Sequence, residues 1–174
     1  LQPEGDKFKN DPLMTIKKVI DKANYKIIVK EVGQGMGPES LEELMKLPIE
    51  AIDFGAGGGT NFALLEILRS RPEISENYSN LSLIGHSAAE MVDFVNGLQK
   101  KLAQNILCKQ FIISGGITDF LDGYYLTQKL FFPAIYGQAS SLLKYAQSSY
   151  EELQNYLDLQ IKGLSLATAY LRIK

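Results

Sequence analysis

Four segments of this chain hold the residues that could do chemistry, and each follows directly on an apolar run. Lys30 closes "IIVKE". Gly57, Gly58 and Gly59, then Thr60 and Asn61, follow "AIDFGA". Gly115 and Gly116 follow "FIIS", and Gly137, Ala139 and Ser140 follow "PAIY". A lysine at a strand end can supply a fixed positive charge to an anion developing on a ligand, or it can simply snorkel to water. Glycines let backbone come close to a ligand, while Thr60 and Asn61 add hydrogen-bonding side chains at the start of a helix. The same glycines could also be no more than a connecting loop. Gly115 and Gly116 stand just before a helix start, where backbone N–H groups and the positive end of the helix dipole favour an anion such as phosphate. Gly137, Ala139 and Ser140 repeat that arrangement one strand later. Each motif is weak alone; four at successive strand ends are a pattern.

The elements that must position these residues alternate. Strands are expected at 25–33, 50–56, 110–116 and 133–139, from short apolar runs bounded by glycine and proline. A helix is expected after Pro38 from Leu41, Leu44 and Met45, and another over "NFALLEILRS". A third begins at Ser87, which forms a capping-box pattern with Glu90 and leads a stripe of Met91, Phe94, Val95, Leu98 and Leu102. Asp119 is the expected N-cap of "FLDGYYLTQKL". Residues 71–83 read as a polar surface connection. The tail reads as one amphipathic helix opening with Ser148 and Glu151, with Leu153, Leu157, Ile161, Leu164 and Leu171 on one face. Alternation of this kind implies parallel strands with right-handed crossovers, and near-continuous apolar strands imply a sheet covered on both faces. Four such units fit a small doubly wound sheet or half of an eight-unit barrel; in both, active sites lie at the C-terminal ends of the strands.

Composition narrows the class. The 174 residues are 45% hydrophobic and 22% charged, with a net charge of −2, so nothing marks a nucleic-acid partner. No apolar run approaches the ~20 residues that span a bilayer. The single cysteine, Cys108, excludes an internal disulfide and suits a reducing, cytoplasmic setting; it is expected to pack as a small hydrophobe. With His86 the only histidine, a zinc site or Cys/His nucleophile pair has no support, and a structural role is expected for it. Leu1 stands where an initiator methionine would, so we expect a piece of a longer chain, forming one domain over 1–174.

Taken in order, "QPEGD" (2–6), "VKEVGQGM", "AIDFGAGGGTNFA", "ISGGI" with Asp122 six residues beyond its second glycine, and "YGQA" resemble the C-terminal half of type 2 isopentenyl-diphosphate isomerase. That resemblance implies an α/β fold of about four β/α units, half of a TIM (β/α)8 barrel, with the N-terminal half absent. It implies interconversion of isopentenyl and dimethylallyl diphosphates with reduced FMN, Mg²⁺ on the diphosphate, and NADPH to reduce the flavin. Position by position, Lys30 would stand near the pyrimidine edge of the flavin as the catalytic candidate, and Thr60 would hydrogen-bond the flavin. Gly115, Gly116, Ile117 and Thr118, with Gly137, Ala139 and Ser140, would cradle the FMN phosphate. Relatives often carry arginine in place of Thr118 and serine in place of Gly55. The metal-binding glutamate and the diphosphate-gripping residues would lie upstream, so no metal ligand is expected here. The half-chain is expected to be inactive alone and to associate, as relatives commonly form homo-oligomers. Two other readings stay open: another FMN barrel of the 2-hydroxy-acid oxidase type, and a noncatalytic phosphate-binding or assembly module.

Overall fold

The computed structural model describes residues 9–173. Four short strands, β1 (Ile28–Lys30), β2 (Ala51–Asp53), β3 (Phe111–Ser114) and β4 (Ala134–Gly137), form one parallel sheet in chain order. The register pairs Lys30 with Asp53, Asp53 with Ile112, and Ser114 with Gly137. Pairing runs past the strand ends, with Phe54 N donating to Ile112 O and Ala56 N to Ser114 O, both at 2.9 Å. The order never reverses, so this sheet has no switch point of the doubly wound kind.

Helices α1 (Pro12–Lys22), α2 (Pro38–Met45), α3 (Phe62–Arg69), α4 (Pro72–Tyr78), α5 (Ala88–Leu102), α6 (Phe120–Lys129), α7 (Ser140–Ala146) and α8 (Tyr150–Tyr170) complete the described chain. Right-handed crossovers in an unreversed order put the connecting helices on one face. Accordingly Val29, Ile52, Phe54, Phe111, Ile113, Ala134 and Tyr136 pack into one core with apolar residues of α2, α5 and α6. Phe54 and Phe111 meet edge to face, ring centroids 6.0 Å apart. Each fully buried Leu, Ile or Phe contributes about 1.5–3 kcal/mol, so this face supplies most of the cohesion.

The opposite face carries Ile28, Ala51, Ile112 and Ile135, and no helix among the described residues covers it. Ile28 is 53% exposed and Ile135 is 65% exposed. The expectation of a sheet covered on both faces is therefore corrected: cover is one-sided, and the outer strands β1 and β4 are half open.

Local sequence accounts for the helices. Ser87 and Glu90 form the capping box, with Glu90 N donating to Ser87 Oγ at 3.3 Å and Ser87 N to Glu90 Oε2 at 2.8 Å. The Ser87 N–H and the Ser87 hydroxyl, both donating to Glu90 Oε2, hold its carboxyl below its ordinary pKa. Met91, Val95, Leu98 and Leu102 are buried as the stripe requires, and Phe94 is half-buried. Asp119 caps α6 as expected.

Three readings need correction. Residues 71–83 form α4 and a following 3-10 turn, because Pro72 at the first position and Glu73 in the first turn favour a helix. The tail is two helices: α7 ends at Ala146, and Ser149, not Ser148, caps α8 through Glu152 N. The buried side of α8 runs through Tyr156, Gln160, Gly163 and Ala167, leaving Ile161 and Leu171 exposed. Gly163 sets that register, because a Cβ there would stand 2.4 Å from the Phe120 ring of α6. Helix α1 was not anticipated. Asp11 caps it and Pro12 opens it, while Leu13, Ile16 and Ile20 pack toward the core.

Candidate functional site at the strand ends

Lys30, Asp53 and Ser114 close three adjacent strands, and the parallel register turns all three side chains to the uncovered face of the sheet. Lys30 Nζ lies 2.6 Å from Asp53 Oδ2. Ser114 Oγ donates to the other carboxylate oxygen, Oδ1. Gly55 N donates to Ser114 Oγ at 3.1 Å and to Asp53 Oδ1 at 3.3 Å. Asp53, 8% exposed, is the one buried charged residue among the described residues. The lysine therefore does not simply snorkel: it neutralises a buried carboxylate, which would otherwise be costly to keep out of water. Asp53 and Ser114 did not emerge from the sequence as site residues. The available signal was an acidic residue inside the apolar run "AIDF".

The loops above these strands interlock through their glycines. Gly115 has φ +92, and a Cβ on it would fall 2.0 Å from Ala56 O. Gly55, at φ +50, meets Glu31 O in the same way. Gly58 lies against Gly116 Cα, and Gly33 against the carbonyl of Thr60. Backbone packed on backbone thus accounts for Gly115 and Gly55. The Glu31 carboxylate accepts from the N–H groups of Gly33, Gln34 and Gly35 at 2.6–2.8 Å, fixing the loop after β1. Thr60 is exposed and stands beside Asn61, which caps α3 through Leu64 N.

The β3–β4 end is built differently. Gly116 and Ile117 turn the chain toward α6, and among the described residues their N–H groups donate to no protein acceptor. The N-terminus of α6 is already taken: Asp119 accepts from Leu121 N at 2.8 Å and Asp122 N at 3.2 Å. Asp122 in turn accepts from Thr118 N at 3.0 Å and from the Thr118 hydroxyl. By contrast α7, which starts at Ser140 after Ala139, has no side-chain cap among the described residues. The Thr118 carbonyl, accepting from Gln138 Nε2 at 2.6 Å and Ser141 Oγ at 2.8 Å, ties the two loops together. Gln138 also reaches the Tyr156 hydroxyl of α8 at 2.8 Å. Gly137 pairs with Ser114 across the last strand pair. Beneath, on the helix-covered face, burial pushes the Tyr136 phenol up, with the Asp119 carboxylate adding to the effect.

The unsatisfied donors suit a phosphate group. They are backbone N–H groups of Gly116, Ile117 and the first turn of α7, and neither turn, 115–118 or 137–141, carries a cationic side chain. His86 serves through its backbone, donating to Gln34 O at 2.7 Å and accepting from Gly57 N at 2.8 Å. Its ring packs edge-on against Phe94, 5.0 Å away. Cys108 is buried, and that burial raises its thiol pKa. "QPEGD" at 2–6 lies outside the described residues. No helix among the described residues is long and apolar enough to cross a membrane.

The fold and rim define a parallel α/β protein with a polar site at the carboxyl ends of its strands. The chain is 28% identical over 167 residues to a protein of Picrophilus torridus named isopentenyl-diphosphate delta-isomerase, a match covering 95% of this chain and 45% of that protein. It is 44% identical over 73 residues to a protein of Bacillus mycoides with the same name, covering 42% of this chain and 21% of the relative. The chain thus spans less than half the length of the curated relatives it matches. No protein-family model matches it.

Proposed function

We propose that this chain is the flavin-phosphate half of an FMN-dependent, type 2 isopentenyl-diphosphate isomerase, four consecutive β/α units of an eight-unit barrel. The observation that carries the reading is the rim itself. Four parallel strands in chain order bring Lys30, the Gly57–Thr60 loop, the Gly115–Thr118 turn and the Gly137–Ser140 turn to one end. The relatives' name supplies the substrate class. One-sided helix cover and two open outer strands favour a barrel half over a closed sheet, because each leaves a surface for further strands.

In this reading the N–H groups of Gly116, Ile117, Ala139 and Ser140 hold the FMN phosphate, with Gly115 and Gly137 shaping the cup. Thr118, tied down by Asp122, contributes geometry where an arginine would contribute charge, so the grip comes from backbone dipoles. Lys30 presents its ammonium to the flavin ring, and Thr60 offers a hydroxyl to it. The flavin, when bound and reduced by NADPH, supplies the acid and base that move a proton on and off the allylic system without net redox change. Mg²⁺ would be held against the diphosphate by residues outside this chain. The working assembly is a cytoplasmic homo-oligomer containing both halves.

A titration of the chain with FMN, followed by flavin fluorescence, tests the assignment. Saturable quenching that Gly116→Asp abolishes is the expected result. A folded chain that leaves flavin fluorescence unchanged, both alone and when joined to its preceding coding sequence, would sink it.

A further inference from the structure

We propose that Asp53 is a positioning residue for Lys30, with Ser114 fixing the carboxylate so that the ammonium points one way from the strand ends. This deepens the reading of Lys30 as a ligand-facing charge and rests on it.

The two oxygens of Asp53 have separate tasks. Oδ2 takes the lysine at 2.6 Å, while Oδ1 takes the Ser114 hydroxyl. The Gly55 N–H can only donate and reaches Ser114 Oγ. The serine proton is therefore directed to Asp53, and the chain of donors runs Gly55, Ser114, Asp53 in a single sense. The carboxylate side chain is 12% exposed and the lysine side chain 54% exposed. One end of the pair is thus embedded in the sheet while the other faces solvent. An anchored carboxylate holds the ammonium over the uncovered face and offsets its charge. What a ligand then meets is a localised donor with two remaining N–H bonds rather than a mobile cation. A free lysine would sweep through its rotamers, and ordering it would weaken binding. The three side chains come from three strands, so the device depends on the sheet register, with Gly55 just beyond β2 adding its N–H.

The test reads the lysine directly and needs no flavin. The 174-residue chain is treated with an amine-acetylating reagent, and each lysine is followed by peptide mass spectrometry. Lys17, exposed, and Lys129, paired with Asp93 elsewhere, serve as references. We expect Lys30 to react about threefold or more slowly than Lys17, the scale of a partly exposed ion pair. Asp53→Asn should bring its rate to that of Lys17 without changing Lys129. Ser114→Ala, which keeps both charges, should give an intermediate rate, and Ser114→Thr should restore the slow one. Lys30 reacting like Lys17 in the unaltered chain would overturn the proposal, as would an unchanged Lys30 rate in both Asp53→Asn and Ser114→Ala. In a parallel FMN titration, Asp53→Asn should weaken binding several-fold. Absence of FMN binding even in the unaltered chain would count against the proposed function and leave the lysine result to stand by itself.

Discussion

At the β1–β3 end of the rim, Lys30, Asp53 and Ser114 satisfy one another through side chains. At the β3–β4 end, the Gly116 and Ile117 N–H groups and the first turn of α7 have no protein acceptor among the described residues. The first end is electrically balanced and closed on itself; the second is open. Unpaired backbone donors are expensive to keep out of water, so an anion has most to gain at the open end. The closed end has a different use, which is to hold one charged group still. The two neighbouring glycines divide in the same way: Gly115 is needed for packing, whereas Gly116 is exposed.

Substitution can break or sharpen this contrast. The largest expected effect is at Gly115, where alanine would combine a positive φ with a carbonyl 2.0 Å away. We expect Gly115→Ala to cost about 3 kcal/mol or more in urea unfolding. Gly116→Ala, whose nearest obstacle is Gly57 O at 2.9 Å, should cost about half as much; a reversed order would dissolve the distinction between the two glycines. Next comes Lys30→Ala, which strands a buried carboxylate and should cost about 2 kcal/mol, discounted for the exposed lysine. Adding Asp53→Asn to that variant should recover part of the loss, and further destabilisation would contradict the balanced network. Asp119→Ala removes the α6 cap and should cost about 1 kcal/mol by thermal unfolding, while freeing donors beside Gly116. If FMN binds the chain, this variant should bind it more tightly.

The smallest effect is in pH. The Glu42, Glu50 and Glu90 carboxyls are held below their ordinary values. The leading causes are hydrogen bonds from Lys101 and Lys46, from Lys26, and from Ser87 respectively. A depressed folded pKa gives stability that is present above the unfolded value of ~4.3 and lost as pH falls through the lower folded values. Melting temperature should therefore hold from neutral pH to about 5 and decline below ~4. Glu90→Gln should flatten that decline slightly, and a stability maximum at acid pH would contradict the sign.

Much of this was legible in the sequence because the signals are local. The capping box at Ser87 and Glu90, the cap at Asp119 and the apolar runs of all four strands are read from neighbours a few residues apart. The Lys30–Asp53–Ser114 network could not be read that way. Its members are separated by 23 and 61 residues and meet only through the register of three strands. The polarity of residues 71–83 concealed α4, whose start is set by Pro72 rather than by an apolar stripe. In α8, Ile161 fitted a helical stripe but lost its place to the small Gly163, which allows close approach to Phe120. That choice depends on the partner helix and has no counterpart in the helix's own periodicity. The open donors of Gly116 and Ile117 were anticipated as a type of site. The occupation of the α6 terminus by Asp119 and Asp122 shifts the available donors toward α7.

Between Thr60 and Gly85 the chain folds largely on itself. Helices α3 and α4 and the 3-10 turn pack chiefly on one another, and Asn61 Nδ2 closes the segment by donating to Ser82 O at 2.6 Å. Ile67, 1% exposed, is buried there and stands apart from the main core. Its tie back to the β1 loop includes the Gln34 side-chain amide, which donates to the Ile84 carbonyl. A segment with its own small centre can open without the sheet opening. Its amides should accordingly trade protons with solvent well before those of β2 and β3, and a protease should nick the chain there first. The nicked molecule would still hold its four strands in register.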